Sequence, residues 1–414
     1  MSILSGAFVD RASAVEDTNW WYDAYHLGDA HDAGWTGEGV RIAVIDGQID
    51  PDSPGLVGAD VTVDDDPLCP GQQVVQTDPT VTSVHGTTVT SYLVGNGDGP
   101  SGIHGVAPDA SVTFYGYGVD GNEDCAGAVD TVTAGPDQEE LDISAAAVGI
   151  LRAIEDGAQI INVSAASGST YGDSWVIAEA IARGVVIVAS MTNDITAEPI
   201  GEVAGFPYTY QGVVSVNAID ADGNFQKTSI GNTDSTDRDT TVVAAGIRMA
   251  AVGVEGDWDA TPSMNGTSYA TPIVTGMIAL TAQKYPDATG NQLIQSLIRN
   301  TGTEEHELSH DDEYGYGAAS ATHMLQNDPT QYDDVNPLTD KVLSSAPTQE
   351  QVDFVAAALQ QNDGERSAET AAAISDTASP WIWLLAVGGP VLLVGAASVV
   401  VLLRVKRRRA AVRA

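Results

Sequence analysis

The strongest constraint on the fold of this chain is an alternation of short apolar runs with helical stretches between residues 38 and 325. Continuous runs of Val, Ile and Ala are typical of parallel strands buried on both faces, and helices between them supply the crossover connections. The sequence therefore predicts an α/β domain whose mostly parallel sheet is covered by helices on both faces. The predicted strands lie at 40–45, 112–115, 160–163, 185–189, 213–216 and 241–244, and the predicted helices at 86–95, 143–156 and 173–183.

A second signal lies near the C-terminus, where the 23 residues 381–403 contain no charged side chain. At ~1.5 Å rise per residue, a helix of this length is ~34 Å long and can cross the hydrocarbon core of a bilayer. Trp381 and Trp383 would lie at one interface, and the basic residues from Arg404 onward favour a cytoplasmic tail at 404–414. We therefore expect one transmembrane helix at 381–403, a cell-membrane location and a domain outside the cytoplasm.

An exported domain needs an export signal, and the first residues of the sequence do not provide one. They contain neither a basic n-region nor a sustained apolar stretch. Because the C-terminal signal is the stronger of the two, we expect that a leader precedes this sequence or has been removed. The alternative is that the predicted membrane topology is wrong.

Composition divides the rest of the chain. Residues 20–327 contain the alternating pattern and are expected to form the folded domain, preceded by an N-terminal segment at 1–19. Residues 328–380 are rich in Asp, Pro, Thr, Ser and Ala, which predicts a flexible linker between the domain and the membrane helix. Within that linker, residues 349–361 show a weak helical pattern of apolar side chains.

The charge of the chain excludes one class of partner. There are 57 acidic and 17 basic side chains, a formal net charge of −40. Such a surface repels a phosphate backbone, so the sequence argues against nucleic-acid binding. Hydrophobic residues make up 43% of the chain, which is enough to build a core and excludes wholesale disorder.

Candidates for an acid and a base lie at element ends, where an α/β sheet gathers its active site. Asp46 closes the first predicted strand in VRIAVIDGQID, although Asp50 and Asp52 follow closely and a structural turn is the simpler interpretation of one Asp. His85 opens the predicted helix in HGTTVTSYLVG. His104 is a rival because it also precedes a glycine, and a lone His in such a place is commonly a surface residue.

A candidate nucleophile, Ser268, lies in NGTSYATPIVTGMIAL at the start of a long apolar helix. Pro272 is expected in the first turn of that helix, where its missing N–H does little harm. The free N–H groups and the dipole of a helix N-terminus favour a bound oxyanion. A serine that only caps the helix is the alternative.

The three candidates carry more weight together than singly. Nucleophilic acyl transfer by Ser needs a base that takes its proton and a carboxylate that orients the base. Asp46, His85 and Ser268 occur in the order Asp, His, Ser, which one convergent solution to this chemistry uses. With GVAPDASV at 105–112, INVS at 161–164 and GVVIVASMTND at 184–194, the chain resembles the subtilisin-like serine proteases, or subtilases, over roughly residues 20–325.

The resemblance implies a serine endopeptidase that acts through an acyl-enzyme and needs no cofactor. Asp46 would orient His85, which would act as general base and then as general acid, and Ser268 would be the nucleophile. Asn193 would supply the side-chain donor of the oxyanion hole. We assign no metal ligand.

The resemblance also implies two substrate-binding segments. Residues 164–168 correspond to the strand that lines the primary specificity pocket, and Ser164, Ala165 and Ala166 belong to it. Residues 114–119 correspond to an edge strand that pairs with an extended substrate, so Tyr115 and Gly116 would contact the substrate backbone.

The sequence departs from the family pattern at three places. Asp46 is followed by Gly47 and Gln48 rather than by Thr or Ser and then Gly, Thr192 stands where Gly usually precedes the oxyanion-hole Asn, and residues 164–167 read SAAS instead of Ser-x-Gly-Gly. These differences bear on the rate and on the size of the pocket more than on the chemistry. A degenerate, weakly active protease is the alternative.

The two cysteines, Cys69 and Cys125, fall in predicted loops. In an exported domain they can form a disulfide, which the loop-entropy model credits with roughly 4 kcal/mol. Two free thiols are the alternative.

A narrower resemblance rests on the architecture of the chain. A subtilase domain with a loop cysteine pair, a linker, a C-terminal membrane helix and a basic tail is similar to the mycosins, the membrane-anchored proteases of actinobacterial type VII secretion systems. Residues 20–46 resemble their N-terminal extension. The resemblance implies protein or peptide substrates and a type VII membrane complex as a partner. A general cell-surface subtilase and an inactive scaffold subunit of a secretion complex are the alternatives.

Overall fold

The computed structural model describes residues 18–118, 125, 127–165, 167–193, 204–227, 234–302 and 305–361. Strands β1 to β13 are, in chain order, Arg41–Asp46, Val61–Asp64, Ser111–Gly116, Ala128–Ala134, Glu139–Ser144, Ile160–Val163, Ser167–Gly168, Val186–Ser190, Ala204–Phe206, Val214–Ile219, Val242–Ala245, Met249–Ala250 and Ser263–Met264. Helices α1 to α8 are Trp20–Ala24, Leu27–Asp32, Val81–Val94, Ala145–Glu155, Asp173–Ala182, Thr267–Lys284, Gly290–Arg299 and Ala321–Gln326, and residues 349–361 form a further helix, α9.

Seven of the strands form one sheet in the order β11-β10-β8-β6-β1-β3-β2, and each strand runs parallel to its neighbours. The predicted α/β domain with a mostly parallel sheet is therefore confirmed, and each of the six predicted strands corresponds to a strand of this sheet. The short strand β2 is an addition that the sequence analysis did not predict. The smaller pairs β4–β5, β7–β9 and β12–β13 are antiparallel.

Hydrophobic side chains alternate across the sheet and build one core on each face. Along β1, Ile42 and Val44 join the core formed with α3, α6, α7 and α8, whereas Ala43 and Ile45 join the core formed with α4 and α5. This alternation follows from the two-residue period of a strand. The sheet is thus covered by helices on both faces, as predicted.

Helix α3 begins five residues before the predicted start. Thr80 and Ser83 form a capping box: the Thr80 hydroxyl accepts a bond from the Ser83 N–H at 3.1 Å, and the Ser83 hydroxyl accepts one from the Thr80 N–H at 2.9 Å. His85 therefore lies in the second turn of the helix instead of opening it. This places the imidazole on a rigid element.

Residues 328–361 are not the flexible linker that the sequence analysis predicted. Residues 332–361, here called the C-terminal strap, pack along the domain: the N–H of Gly212 donates to the Leu338 carbonyl at 2.6 Å, and the N–H of Gln211 donates to the Ala346 carbonyl at 2.8 Å. The Lys341 amine donates to the Asp239 carbonyl at 2.6 Å. These backbone and side-chain hydrogen bonds hold the segment against the domain, although its polar composition suggested that it would be mobile. The predicted helical pattern at 349–361 is confirmed as α9.

The predicted bridge between Cys69 and Cys125 is present, with the two Cα atoms 5.5 Å apart. It joins the chain that follows β2 to the chain that follows β3. The part of the chain that the structure describes contains no helix that is both long and apolar enough to cross a membrane. The predicted transmembrane helix at 381–403, the tail at 404–414, the linker residues 362–380 and most of the segment 1–19 lie outside the described residues.

Candidate active site

The acid and the base predicted from the sequence meet at the end of β1. Asp46 is only 1% exposed, and its Oδ1 atom lies 2.8 Å from Nδ1 of His85. The same oxygen accepts a bond from the N–H of Gly47 at 2.6 Å. Because a carboxylate can only accept, this geometry selects the tautomer of His85 that carries its proton on Nδ1, so that Nε2 is the basic nitrogen of the ring.

Gln48 ties the end of β1 to the start of α3. Its side chain is buried, its Oε1 atom accepts a bond from the Thr82 hydroxyl at 2.8 Å, and its Nε2 atom donates to the Gln73 carbonyl at 3.0 Å. A Cβ atom on Gly86 would lie 2.2 Å from the Gln48 carbonyl oxygen, so the close approach of α3 requires glycine there. The departure from the family pattern after Asp46 thus has a structural role, which the sequence analysis missed because the partner of Gln48 lies 34 residues away.

Ser268 is the second residue of α6 and is 8% exposed. Pro272 lies inside this helix rather than in its first turn, which corrects the prediction. Since proline has no N–H, the Ser268 carbonyl loses its intrahelical partner four residues on. The Ser164 hydroxyl replaces that partner and donates to the Ser268 carbonyl at 3.0 Å.

Ser164 is itself held by a buried chain of hydrogen bonds. Asn162 Nδ2 donates to the Ser164 hydroxyl at 2.9 Å, and the Thr275 hydroxyl donates to Asn162 Oδ1 at 3.0 Å. Asn162 and Thr275 are fully buried. The chain therefore joins β6 to α6 at two levels and fixes the turn that carries Ser268.

Asn193 follows β8 and faces the start of α6. Its Oδ1 atom accepts a bond from the N–H of Thr267 at 2.8 Å, and the Thr267 hydroxyl donates to the Met191 carbonyl. With Oδ1 occupied in this way, the Nδ2 group of Asn193 is the half of the amide left to donate to a ligand.

The candidate catalytic residues line one cavity of about 530 Å³, which is here called the central cleft. The cleft brings together Asp46, His85, Ser164, Ala165, Asn193 and Ser268, with Gly47, Thr82, Ser190, Met191 and Thr192 completing its wall. Ala166 lies outside the described residues. The rival His104 is not in the lining of the cleft; its ring lies 5.3 Å from that of Tyr22.

The prediction that residues 114–119 form an edge strand is wrong for the residues the structure describes. Strand β3 lies between β1 and β2, Tyr115 is 1% exposed with its hydroxyl bonded to Asp156 at 2.7 Å, and the Gly116 carbonyl accepts the N–H of Leu68 at 2.9 Å. Neither residue has a free edge to offer a substrate. The short strand β2, which the sequence analysis did not predict, takes the position that a substrate would have needed.

Two phenols near the acid stay neutral. Burial, with a smaller contribution from the charge of Asp46, raises the pKa of Tyr269 to about 12. Burial and the charges of Asp46 and Asp173 also raise the pKa of Tyr117. Neither can serve as a base near neutral pH. Across the ranges that the structure describes, no group of three or more His, Cys, Asp or Glu side chains could hold a metal ion.

Comparison with known proteins gives one family match. A family model described as the subtilase family matches residues 37–317. Fervidolysin of Fervidobacterium pennivorans is 29% identical over 320 residues, which cover 72% of this chain and 42% of fervidolysin. Subtilisin E of Bacillus subtilis is 30% identical over 279 residues, which cover 66% of this chain and 63% of subtilisin E. The chain thus matches less than two thirds of either relative.

Solved structures that share the fold include those of fervidolysin and MycP1. The crystal structure of fervidolysin has a TM-score of 0.54 at 23% identity and covers 74% of this chain and 45% of the fervidolysin chain. The structure of MycP1 without its N-terminal propeptide has a TM-score of 0.52 at 20% identity and covers 74% of this chain and 96% of MycP1. At these identities, the similarity concerns the fold.

Proposed function

Because the chain belongs to the subtilase family, we propose that it is a serine endopeptidase that hydrolyses peptide bonds through Asp46, His85 and Ser268. The observation that carries the proposal is the arrangement at the central cleft. Nδ1 of His85 lies 2.8 Å from the buried Oδ1 of Asp46, and Ser268 at the start of α6 lines the same cleft.

In the proposed reaction, Nε2 of His85 takes the hydroxyl proton of Ser268 while the hydroxyl oxygen attacks the carbonyl carbon of the scissile bond. The tetrahedral intermediate then breaks its C–N bond, the leaving amine receives the proton from His85, and the acyl group remains on Ser268. A water molecule repeats the two proton transfers, which releases the carboxylic acid and restores the serine. The carboxylate of Asp46 stabilises the imidazolium.

The negative charge of the intermediate has two donors in this proposal. Asn193 supplies Nδ2, because its Oδ1 atom is held by Thr267. The backbone N–H of Ser268 supplies the second donor, since the N–H groups at the start of the 18-residue helix α6 have no intrahelical acceptor.

We further propose a mycosin-like role at the cell membrane, with the domain outside the cytoplasm and a type VII secretion complex as partner. The support is the sequence architecture: a charge-free stretch at 381–403, a basic tail at 404–414, and a disulfide in the domain. The fold that the chain shares with MycP1 is consistent with this role. Extracytoplasmic proteins that enter the cleft as extended segments are the proposed substrates.

The catalytic proposal is tested by hydrolysis of an unfolded protein such as reduced casein. We expect the full chain to cleave it and the variants Ser268→Ala and His85→Ala to lose activity by a factor of ~10⁴ or more. His104→Ala is the matched control, because this rival histidine lies away from the cleft lining and should leave the rate unchanged. Full activity in His85→Ala would contradict the proposal.

The membrane role has its own test. Cell fractionation should place the full chain in the membrane fraction and a chain that stops at residue 380 in the soluble extracytoplasmic fraction. Affinity purification in an actinobacterial host should then recover subunits of a type VII membrane complex with the full chain. A full chain that is soluble, or that copurifies with no such subunit, would contradict the mycosin-like role.

A further inference from the structure

A second and larger cavity, of about 770 Å³, opens beside α5 and is here called the aromatic cavity. The β4–β5 hairpin forms one wall, the loop before α5 forms another, and the C-terminal strap closes the third. The strap contributes Ala346, Thr348, Glu350, Gln351 and Phe354. The cavity therefore depends on the ordered segment that composition alone had suggested was a linker.

The lining of the aromatic cavity is rich in large rings. Trp175 and Phe354 pack edge to face with ring centroids 5.8 Å apart, and the buried Tyr210 also lines the cavity, with its hydroxyl 2.7 Å from that of Ser169. Tyr171 stands at the rim with 82% of its surface exposed. Exposed and half-exposed rings gathered in this way are typical of a binding surface.

The rim of the aromatic cavity carries negative charge. Asp137 and Glu139 of the hairpin and Glu350 of the strap are exposed, and the described lining residues include no Lys, Arg or His. A cation that enters the cavity meets carboxylates at the rim and ring faces below, and both attract it. The same carboxylates repel an acidic ligand.

The walls are held in place before any ligand arrives. Asp173, the first residue of α5, ties that helix to the end of β5 and to the preceding loop: its Oδ1 atom accepts the N–H of Ser144 at 2.9 Å, and its Oδ2 atom accepts the N–H of Thr170 at 2.9 Å. Gln351 donates to the Ser174 hydroxyl at 3.1 Å, which fastens the strap to the same helix. The hairpin, the loop and the strap therefore keep their relative positions, and a ligand need not order them.

The aromatic cavity lies within reach of a substrate in the central cleft. Ala165 lines the cleft and Ser169 lines the cavity, and four residues of extended chain span at most ~14 Å. We propose that the aromatic cavity is a second substrate-binding site that takes a basic segment of the protein substrate, with Lys or Arg beside an apolar or aromatic residue. This inference rests on the proposed protease function and names the class of substrate for it.

Binding is tested with the full-length Ser268→Ala chain and fluorescent peptides, so that no turnover is needed. One peptide carries an Arg- and Trp-containing segment, and a second carries Glu in place of each Arg. We expect the double variant Glu139→Gln, Glu350→Gln to raise the Kd of the basic peptide about tenfold, and 0.5 M salt to do the same in the parent chain. The control Glu38→Gln, Glu307→Gln removes two exposed carboxylates that do not line the cavity and should leave Kd unchanged.

Kinetic measurements distinguish a failure of this inference from a failure of the proposed protease function. With Ser268 present, the parent chain and the double variant should cleave a short uncharged peptide at the same rate. For a substrate that is extended by the basic segment, the KM of the double variant should be about tenfold higher than that of the parent, and kcat should be unchanged. Equal Kd values for basic and acidic peptides, or a Kd unaffected by the double substitution, would overturn the inference. Tight basic-peptide binding without hydrolysis of any substrate would instead overturn the protease function and leave the site standing.

Discussion

The hydroxyl of Ser164 donates a hydrogen bond to the main-chain carbonyl of Ser268 at 3.0 Å, at the one position where Pro272 removes the intrahelical donor. The proline thus removes one donor from the hydrogen bonds of the helix, and the hydroxyl of Ser164, the residue that follows β6, replaces it. Ser164 lines the central cleft as well, so it both borders the substrate site and holds the proposed nucleophile in place.

Replacement of Ser164 by Ala should slow the chemical step. The Ser268 carbonyl would lose a buried partner, and the freed turn would hold the nucleophile less rigidly, which we expect to lower kcat about tenfold with little change in KM. Steady-state kinetics on a short peptide measure both constants. The control Ser111→Ala removes a hydroxyl that bonds to Asp60 at the other end of the sheet, and it should change neither constant. A rise in KM at unchanged kcat would mean that Ser164 only contacts substrate.

The substitution Asn193→Asp distinguishes the role of the side-chain oxygen of Asn193 from that of its nitrogen. An aspartate retains an oxygen that can accept the N–H of Thr267, but it offers no donor to the oxyanion and adds a negative charge beside it. We expect kcat to fall by ~10² to 10³ while the melting temperature changes little. Single-turnover kinetics and thermal unfolding are the two measurements. An unchanged kcat would remove Asn193 from the oxyanion hole.

Gln48→Met should weaken the link between the acid and the base. The substitution keeps the volume of the side chain but leaves the buried Thr82 hydroxyl without its acceptor, at an expected cost of about 1–3 kcal/mol in the free energy of unfolding. Urea unfolding measures this cost, and kcat should fall with it because His85 lies on the loosened helix. Gln76→Met, at a partly exposed position of the loop between β2 and α3, is the control. An unchanged free energy of unfolding would show that Gln48 does not stabilise the contact between β1 and α3.

Lys341 in the C-terminal strap should make the free energy of unfolding depend on pH. Burial lowers the pKa of Lys341 to about 8 from 10.5, and the neighbouring carboxylates, led by Asp239, offset part of that effect. Between these two values the unfolded chain binds more protons than the folded chain, so the contribution of Lys341 to stability rises with pH and is lost as pH falls through 8.

From pH 7 to pH 9 this contribution amounts to about 1 kcal/mol. Lys341→Met should lack it, so the difference in unfolding free energy between the parent chain and the variant should grow in favour of the parent over that interval. Urea unfolding of both chains at the two pH values gives the comparison. A difference that stays constant would place the amine in solvent.

The elements that local pattern specifies were predictable. Runs of Val, Ile and Ala identified the strand that ends at Asp46 and the strand that precedes Ser164, and the order of the motifs brought Asp46, His85 and Ser268 forward as a set. The start of α3 was missed because the capping box at Thr80 lies in a polar stretch with no apolar period before it.

Features that depend on distant partners were not predictable. Strand β2 is short and half-exposed, so nothing in its own residues showed that it would cover β3 and leave Tyr115 without an edge. The strap is polar and contains prolines, and its order comes from hydrogen bonds to residues such as Gln211 and Asp239, which lie more than 100 positions earlier. The effect of Pro272 could be seen only once Ser164 was placed beside it.

The central claim is that Ser268 is a nucleophile activated by His85, and reaction with a fluorophosphonate measures this directly. Intact-mass analysis with peptide mapping should find one adduct per chain, on Ser268, in the parent protein, and none in Ser268→Ala or His85→Ala. An adduct that persists in Ser268→Ala, or a folded parent chain that never reacts, would contradict the account.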